Sequence, residues 1–331
     1  MSNNKNLSKA KTSKNDEFYT SLEDIEAEIS SHQEYVKAFQ GKVVYCNCDD
    51  PDKSNFCKFF ILHFKQLGLK KLITTHYTGG NILFLDQSPA HKLEFYGEYD
   101  ADGNPITHKT QLSGNGDFRS VECIELLKQS DIVVTNPPFS LFREFISQLL
   151  ECGKKFVILG NQNAVTYKEV FPLIRDNKIW YGVSIHSGDR EFMVPQNYPM
   201  HASGCRVDSD GNKYIRVKGV RWFTNIELDQ RHELLPLTKN YKGNESSYPK
   251  YDNFDAIEVS ETKNIPKDYC GVMGVPITFL DKYCPDQFEI LTIMTGAKGD
   301  GLVNGADGRA KFYVNGEGVY ARILICRKPN K

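Results

Sequence analysis

The chain has 331 residues, 40% of them hydrophobic and 25% charged, with a formal net charge of -1. That length permits one large domain or two unequal ones with a sizeable core. The near-zero charge excludes a global basic field, so any nucleic-acid surface must be a local patch, and no apolar run reaches the roughly 18 residues of a membrane span.

Residues 1–14 form a basic arm, with Lys5, Lys9, Lys11 and Lys14 and no acidic residue. It lacks the apolar core of a secretory signal. Such an arm is either a solvated, disordered tail or a contact to phosphates. Next, Thr20-x-x-Glu23 predicts a capping box, and Leu22, Ile25, Ile29 and Val36 continue one apolar helical face. KVVYCN (42–47) predicts a strand. SNFCKFFILHFKQ (54–66) predicts a helix capped by Ser54, and KKLITT (70–75) a second strand. Residues 120–129 predict a helix and 131–135 a buried strand. SLFREFISQLLECG (140–153) predicts a helix ending at Gly153, followed by the strand KKFVILGN (154–161). Thr166-x-x-Glu169 predicts a capped helix through Asn177, and IWYGVS (179–184) is extended. Short apolar strands alternating with helices mean an α/β fold with a mostly parallel sheet covered on both faces.

From about residue 185 the pattern changes to short strands without helices: REFMVP, KYIRV and RWFTNI. Beyond Asp229 the chain is rich in Asn, Ser, Tyr, Pro and Gly. A boundary falls near residue 232, giving segments 15–232 and 233–331. DADGN (100–104) and DSDGN (208–212) resemble the start of a calcium loop. The twelfth positions are Gln111 and Gly219 rather than the bidentate Glu such a loop needs, so both are read as hairpin turns. Nine cysteines without a CxxC pair are expected to be free thiols in a reducing cytoplasm. The spacing of Cys46, Cys48 and Cys57 suits no common zinc site, and no metal is expected.

The most informative stretch is SDIVVTNPPFSLF (130–142). In an open parallel sheet, ligands sit beyond the carboxyl ends of the strands, and Asn136 lies at such an end. A residue before proline is held extended, and Pro137 and Pro138 have fixed φ and no N–H. The result is a stiff corner in which the Asn136 side-chain oxygen and the Pro137 carbonyl can grip one ligand NH2 group. Phe139 offers a flat face for a planar ring. Two acceptors on the two hydrogens of a ring-conjugated amine favour a pyramidal nitrogen and free its lone pair for attack. A structural turn is the alternative reading of the same four residues.

Asn-Pro-Pro-Phe resembles the catalytic motif of amino-methylating, S-adenosylmethionine-dependent DNA methyltransferases. Together with NDEFYT, VVYCNCDDP, GDFRS, TYKEVF, NESSYPKYDNFDAI and GVMGVPITFL, in that order along nearly the whole chain, it is similar to the EcoRI-type adenine-specific methylases. The resemblance implies a Rossmann-like class I methyltransferase fold in 15–232 and a target-recognition region in 233–331. It implies that Asn136, Pro137, Pro138 and Phe139 are catalytic. It places the donor's methionine end against Phe18, Tyr19 and Thr20. Its amino acid falls on the loop carrying Asp49, Asp50 and Ser54, where acids attract an ammonium and helix N–H groups take a carboxylate. Asp117 would accept from the donor's adenine amino group, with Phe118 and Phe142 lining the pocket. Two departures stand out. No glycine occupies the donor loop between Gly41 and Gly68, and the second strand ends in Thr74, Thr75 and His76 without a ribose-holding acid; His76 is read as structural.

The partner implied is double-stranded DNA, with a palindromic GAATTC-like site served by a monomer, and a restriction endonuclease acting on the same site. Lys11, Lys14, Arg190, Arg221, Lys239 and Lys250 are candidate backbone contacts, and Asn244 and Ser246 candidate readers of base edges. The rival readings are an N4-cytosine methyltransferase, an enzyme methylating a glutamine side chain, and a DNA-binding protein that keeps the fold without the activity.

Overall fold

A computed structural model describes residues 19–78, 89–185, 189–194, 196, 198, 200, 204–295 and 311–329. Lys11, Lys14 and Phe18 lie outside the described residues. The chain divides into two units. The first runs to Ala164 and resumes over Tyr181–Ile226; the second takes Val165–Trp180 and Glu227–Lys331. The chain therefore passes between units three times, where composition suggested one cut near residue 232.

In the first unit, helices α1 (Leu22–Ile29) and α2 (Gln33–Phe39) precede β1 (Val43–Cys46). The apolar face read as continuous through Val36 is broken between them. Then come α3 (Asn55–Leu62), β2 (Lys71–Thr75) and the hairpin of β3 (His91–Tyr99) and β4 (Pro105–Gln111). α4 (Val121–Gln129), β5 (Ile132–Thr135), α5 (Phe142–Glu151) and β6 (Lys155–Asn161) follow. The sheet has the order β4-β3-β2-β1-β5-β6-β11-β7, with α6 (Phe171–Arg175) between β6 and β7 in sequence, and β7 at Trp180–Tyr181 and β11 at Val220–Thr224. Its centre, β2-β1-β5-β6, is parallel. β11 runs antiparallel to β6, so RWFT belongs to the main sheet. A smaller sheet holds β8 (Asp189–Val194), β9 (Arg206–Val207) and β10 (Lys213–Lys218).

Sequence pattern explains this core. β5 is buried along its whole length, and β6 along all but its first residue, as strands covered on both faces require. α5 buries Phe142, Phe145, Ile146 and Leu149, spaced i, i+3, i+4, i+7. Each such side chain contributes about 1.5–3 kcal/mol relative to exposure. Gly153, at φ 63°, ends that helix as expected. Ser54 and Ser120 cap α3 and α4 through their hydroxyls. Two expected caps do not form. Ser21, not Thr20, caps α1. α6 starts at Phe171 with a proline in its first turn and no side-chain cap, so Thr166 does not start it. DADGN joins β3 to β4, and DSDGN joins β9 to β10, both as antiparallel hairpins.

The second unit is built on β12 (Lys250–Tyr251), β13 (Phe254–Glu258), β14 (Met273–Pro276), β15 (Phe288–Met294) and β18 (Arg322–Arg327), in the order β12-β13-β14-β18-β15. A two-stranded ribbon of β16 (Tyr313–Val314) and β17 (Glu317–Gly318) accompanies them. α6 packs by β15. GVMGVPITFL is core, as expected: Met273 and Val275 are fully buried, and a Cβ on Gly274 would lie 1.9 Å from the Tyr251 hydroxyl. Glu258 is held by a bidentate Arg322 and by the Tyr251 hydroxyl.

Candidate active site

In the main sheet the chain moves from β1 to β2 on one side, then returns to place β5 on the other. The loops after β1 and β5 leave from neighbouring strands in register, with Val44 opposite Ile132 and Tyr45 opposite Val133. This is the topological switch point at which α/β sheets bind ligands. Asn136 follows β5 directly. Pro138, at φ -54° and ψ 119°, turns the chain into a single 3-10 turn over Phe139–Leu141. Its carbonyl accepts from Leu141 N–H at 2.9 Å, so this carbonyl is used by the turn instead of standing free. Asn136 and Phe139 are 8% and 7% exposed, which seats the corner in a recess.

Three stretches far apart in sequence meet at this corner. Asn136 Nδ2 donates to Thr20 Oγ1 at 3.3 Å, and Asn55 Nδ2 donates to the Thr20 carbonyl at 2.7 Å. Thr20 is thus engaged by the corner and by the start of α3, which is why the adjacent Ser21 serves as the helix cap. Tyr19 pairs through its N–H with the Met193 carbonyl at 2.9 Å. Ser54 donates to Asp49 Oδ1 at 3.2 Å while accepting from Phe56 N–H at 3.1 Å. The Thr135 hydroxyl lies against both the Asn47 carbonyl and Asp49 Oδ2. The single hydroxyl hydrogen can serve only one of these two acceptors at a time. Burial pushes the Asp49 carboxyl up to about 7, against hydrogen bonds from Thr135, Ser54 and the Asn136 backbone that favour its anion.

The remaining donor-site candidates take other positions. Asp50 Oδ1 accepts from Asp52 N–H at 3.0 Å. Asp117 receives Arg119 through Nε at 2.9 Å and Nη2 at 2.7 Å, and the guanidinium holds its carboxyl below the usual range. Asp117 does not cap α4, a role taken by Ser120. Gly116, at φ 76°, places its Cα so close to His76 that a Cβ would lie 2.0 Å from that carbonyl. The Asp117 loop therefore packs directly against the end of β2. Phe118 is 4% exposed and edge-on to Phe145 at 5.1 Å. Phe142 is buried, 1% exposed, with its ring 5.0 Å from that of Phe223.

Among the DNA candidates, Arg221 is 2% exposed and donates to the Val220 carbonyl. Its guanidinium lies 5.8 Å from the Tyr181 ring centre. Arg190 lies 3.4 Å from Asp24 and is partly neutralised by it. In the second unit, Lys239, Asn244, Ser246 and Lys250 are all exposed. Their loop is anchored from below. Asp268 accepts from Tyr241 and Lys242 N–H, and the Tyr248 hydroxyl donates to the Asn264 carbonyl at 2.9 Å. Sequence reasoning missed Thr135, Asn55 and Arg119. A polar residue ending an otherwise apolar strand was the available signal for Thr135.

The corner after β5 thus sits at the switch point of the sheet, tied to the acid-bearing loop on the neighbouring strand, where α/β enzymes bind ligands. The chain belongs to the EcoRI family of adenine-specific methyltransferases, whose family model matches residues 6–328. It is 51% identical to the Type II methyltransferase M.EcoRI of Escherichia coli, over 98% of this chain and 97% of that one. It is 42% identical to M.MpnI of Mycoplasma pneumoniae, over 98% of each chain. With M.MgeORF184P of Mycoplasma genitalium the identity is 40%, over 96% of this chain and 98% of that one. Adenine-specific DNA methylation is accordingly the activity of this chain.

Proposed function

We propose that the chain methylates N6 of an adenine rotated out of duplex DNA, using S-adenosylmethionine, within a GAATTC-like palindrome. The observation that supports this reading most is the junction of Thr20, Asp49 and Asn136 at the switch point. The donor fits there because a buried carboxyl near neutrality is stabilised as an anion by an adjacent cation such as an ammonium. Of the two acids on the loop, Asp49 is the one joined to Asn136 and is assigned that contact. Ser54 and the first N–H groups of α3 take the donor's carboxylate, Phe18 and Tyr19 flank its methionine end, and Asp117 with Phe118 takes its adenine. When bound, the donor supplies a methyl group on a sulfonium leaving group.

The chain's own residues do the rest. Asn136 Oδ1 and the Pro137 carbonyl hold the two N6 hydrogens, Pro138 fixes the corner, and Phe139 stacks on the extruded base. Rotating the base out costs a few kcal/mol and is required because N6 is unreachable in the stack. Positioning supplies most of the acceleration. Lys239 and Lys250 take backbone phosphates, joined by Arg190 and the arm residues Lys11 and Lys14, while Asn244 and Ser246 face base edges. The chain works as a monomer in the cytoplasm, one strand at a time, beside an endonuclease cutting the same site.

The test is transfer of labelled methyl from S-adenosylmethionine into duplex DNA, digested to nucleosides. Label in N6-methyladenine is expected. Label in N4-methylcytosine, or DNA binding without transfer, would overturn the reading.

A further inference from the structure

Outside that knot, the first unit gathers Asp50, His76 and His91 from three separate segments: the loop after β1, the residue after β2, and the first residue of β3. One potential ligand atom from each lies within 4.8 Å of the other two. The imidazole rings stand 5.1 Å apart at 59°. His76 Nδ1 and His91 Nε2 are closed off from solvent, and among the described residues neither has a hydrogen-bond partner. Leaving two buried ring nitrogens unsatisfied is costly, and native structures seldom do so without a bound ion, ligand or water. The nearest alternative partner, Asp52, is 3.5 Å from His91 Nε2 and is already held by Lys109.

We propose that Asp50, His76 and His91 bind one divalent transition-metal ion, zinc in the first instance. Two imidazoles and a carboxylate suit zinc and its neighbours and not magnesium, which demands oxygen ligands. A tetrahedral zinc with bonds of about 2.1 Å sets its ligands about 3.4 Å apart. Atoms within 4.8 Å of one another must therefore draw together when the ion binds. The ion ties the β1 loop to the ends of β2 and β3. It does not enter methyl transfer, and the proposal stands whether or not the donor binds as described above.

The experiment is calorimetric titration of the chelator-treated full chain with zinc chloride and, separately, magnesium chloride, without donor or DNA. One saturable zinc site per chain is expected, with no magnesium binding. H76Q, H91Q and D50N should each weaken zinc by at least about tenfold, while melting as a folded chain by circular dichroism. H63A and H232A, at two other carboxylate-flanked histidines, should bind like the parent. Cobalt chloride should give an absorption spectrum of nitrogen and oxygen coordination that is lost in H76Q and H91Q. Absence of saturable zinc uptake at millimolar concentration, parent-like affinity in the H76Q/H91Q double variant, or loss of binding in H63A or H232A would each overturn the proposal.

Discussion

Asn136 carries two jobs that pull in different directions. Its amide nitrogen is spent on Thr20, while its carbonyl oxygen belongs to the acceptor pair of the proposed mechanism. N136A should therefore lower transfer by at least about 100-fold, the scale of losing one preorganised polar contact, while donor binding measured by calorimetry largely survives. Parent-level turnover would remove the corner from the mechanism. At Phe139, the expected order of turnover is Phe above Tyr and Trp, with Ala lowest; equal losses in all three variants would argue against stacking. Asp49 makes a further prediction, of opposite sign to that for a salt-bridged acid. Its folded carboxyl sits near 7, against about 3.9 for an unfolded one. Between these values the folded chain holds the proton more tightly. Its contribution to stability is full at low pH, falls as pH rises from about 4 to 7, and stays reduced above. D49N should flatten that slope in urea unfolding curves taken at about pH 5 and pH 8. An unchanged slope would mean another group is responsible.

At the scale of elements, most of the first unit was legible because its strands are short apolar runs and its helices carry plain cap and periodicity cues. Ser54, Ser120 and Gly153 performed as their residue types predict. The failures are physical rather than random. Thr20 and Ser21 both offer a hydroxyl followed by acid, and the choice between them depends on a partner more than a hundred residues away. Thr166 gave a local cap cue, but Pro172 with the apolar Phe171 moved the helix start. The site itself was half readable. The corner announces itself through two prolines, whereas the bonds joining it to Thr20 and Asp49 exist only after the strands pair. The Asp117 loop shows how tight that assembly is. G116A, at a left-handed φ and against the His76 carbonyl, should destabilise the chain by about 1–3 kcal/mol. G114A, with nothing near its Cβ position, should stay within about 0.5 kcal/mol. Paired melting curves decide the matter, and equal shifts would mean the loop yields freely.

For the whole molecule, the decisive feature is that the second unit is not a simple tail. Phe171 and Ile174 of α6 are 6% and 4% exposed, and α6 packs by β15. A chain stopped at residue 232 keeps α6 and loses β15. Such a fragment should be poorly soluble or melt without cooperativity, as judged by soluble yield and calorimetry. A well-behaved fragment would show that α6 is supported from elsewhere.

This interleaving also bears on how a recognition specificity can change hands. A region appended at one end can be exchanged between genes by one crossover. With target reading in the second unit, as proposed above, a donor sequence must bring residues 165–180 along with everything beyond 226, which takes two coordinated exchanges and leaves the strands between them untouched. Grafts that move only the distal stretch between relatives should fail by misfolding before they ever reveal a new target.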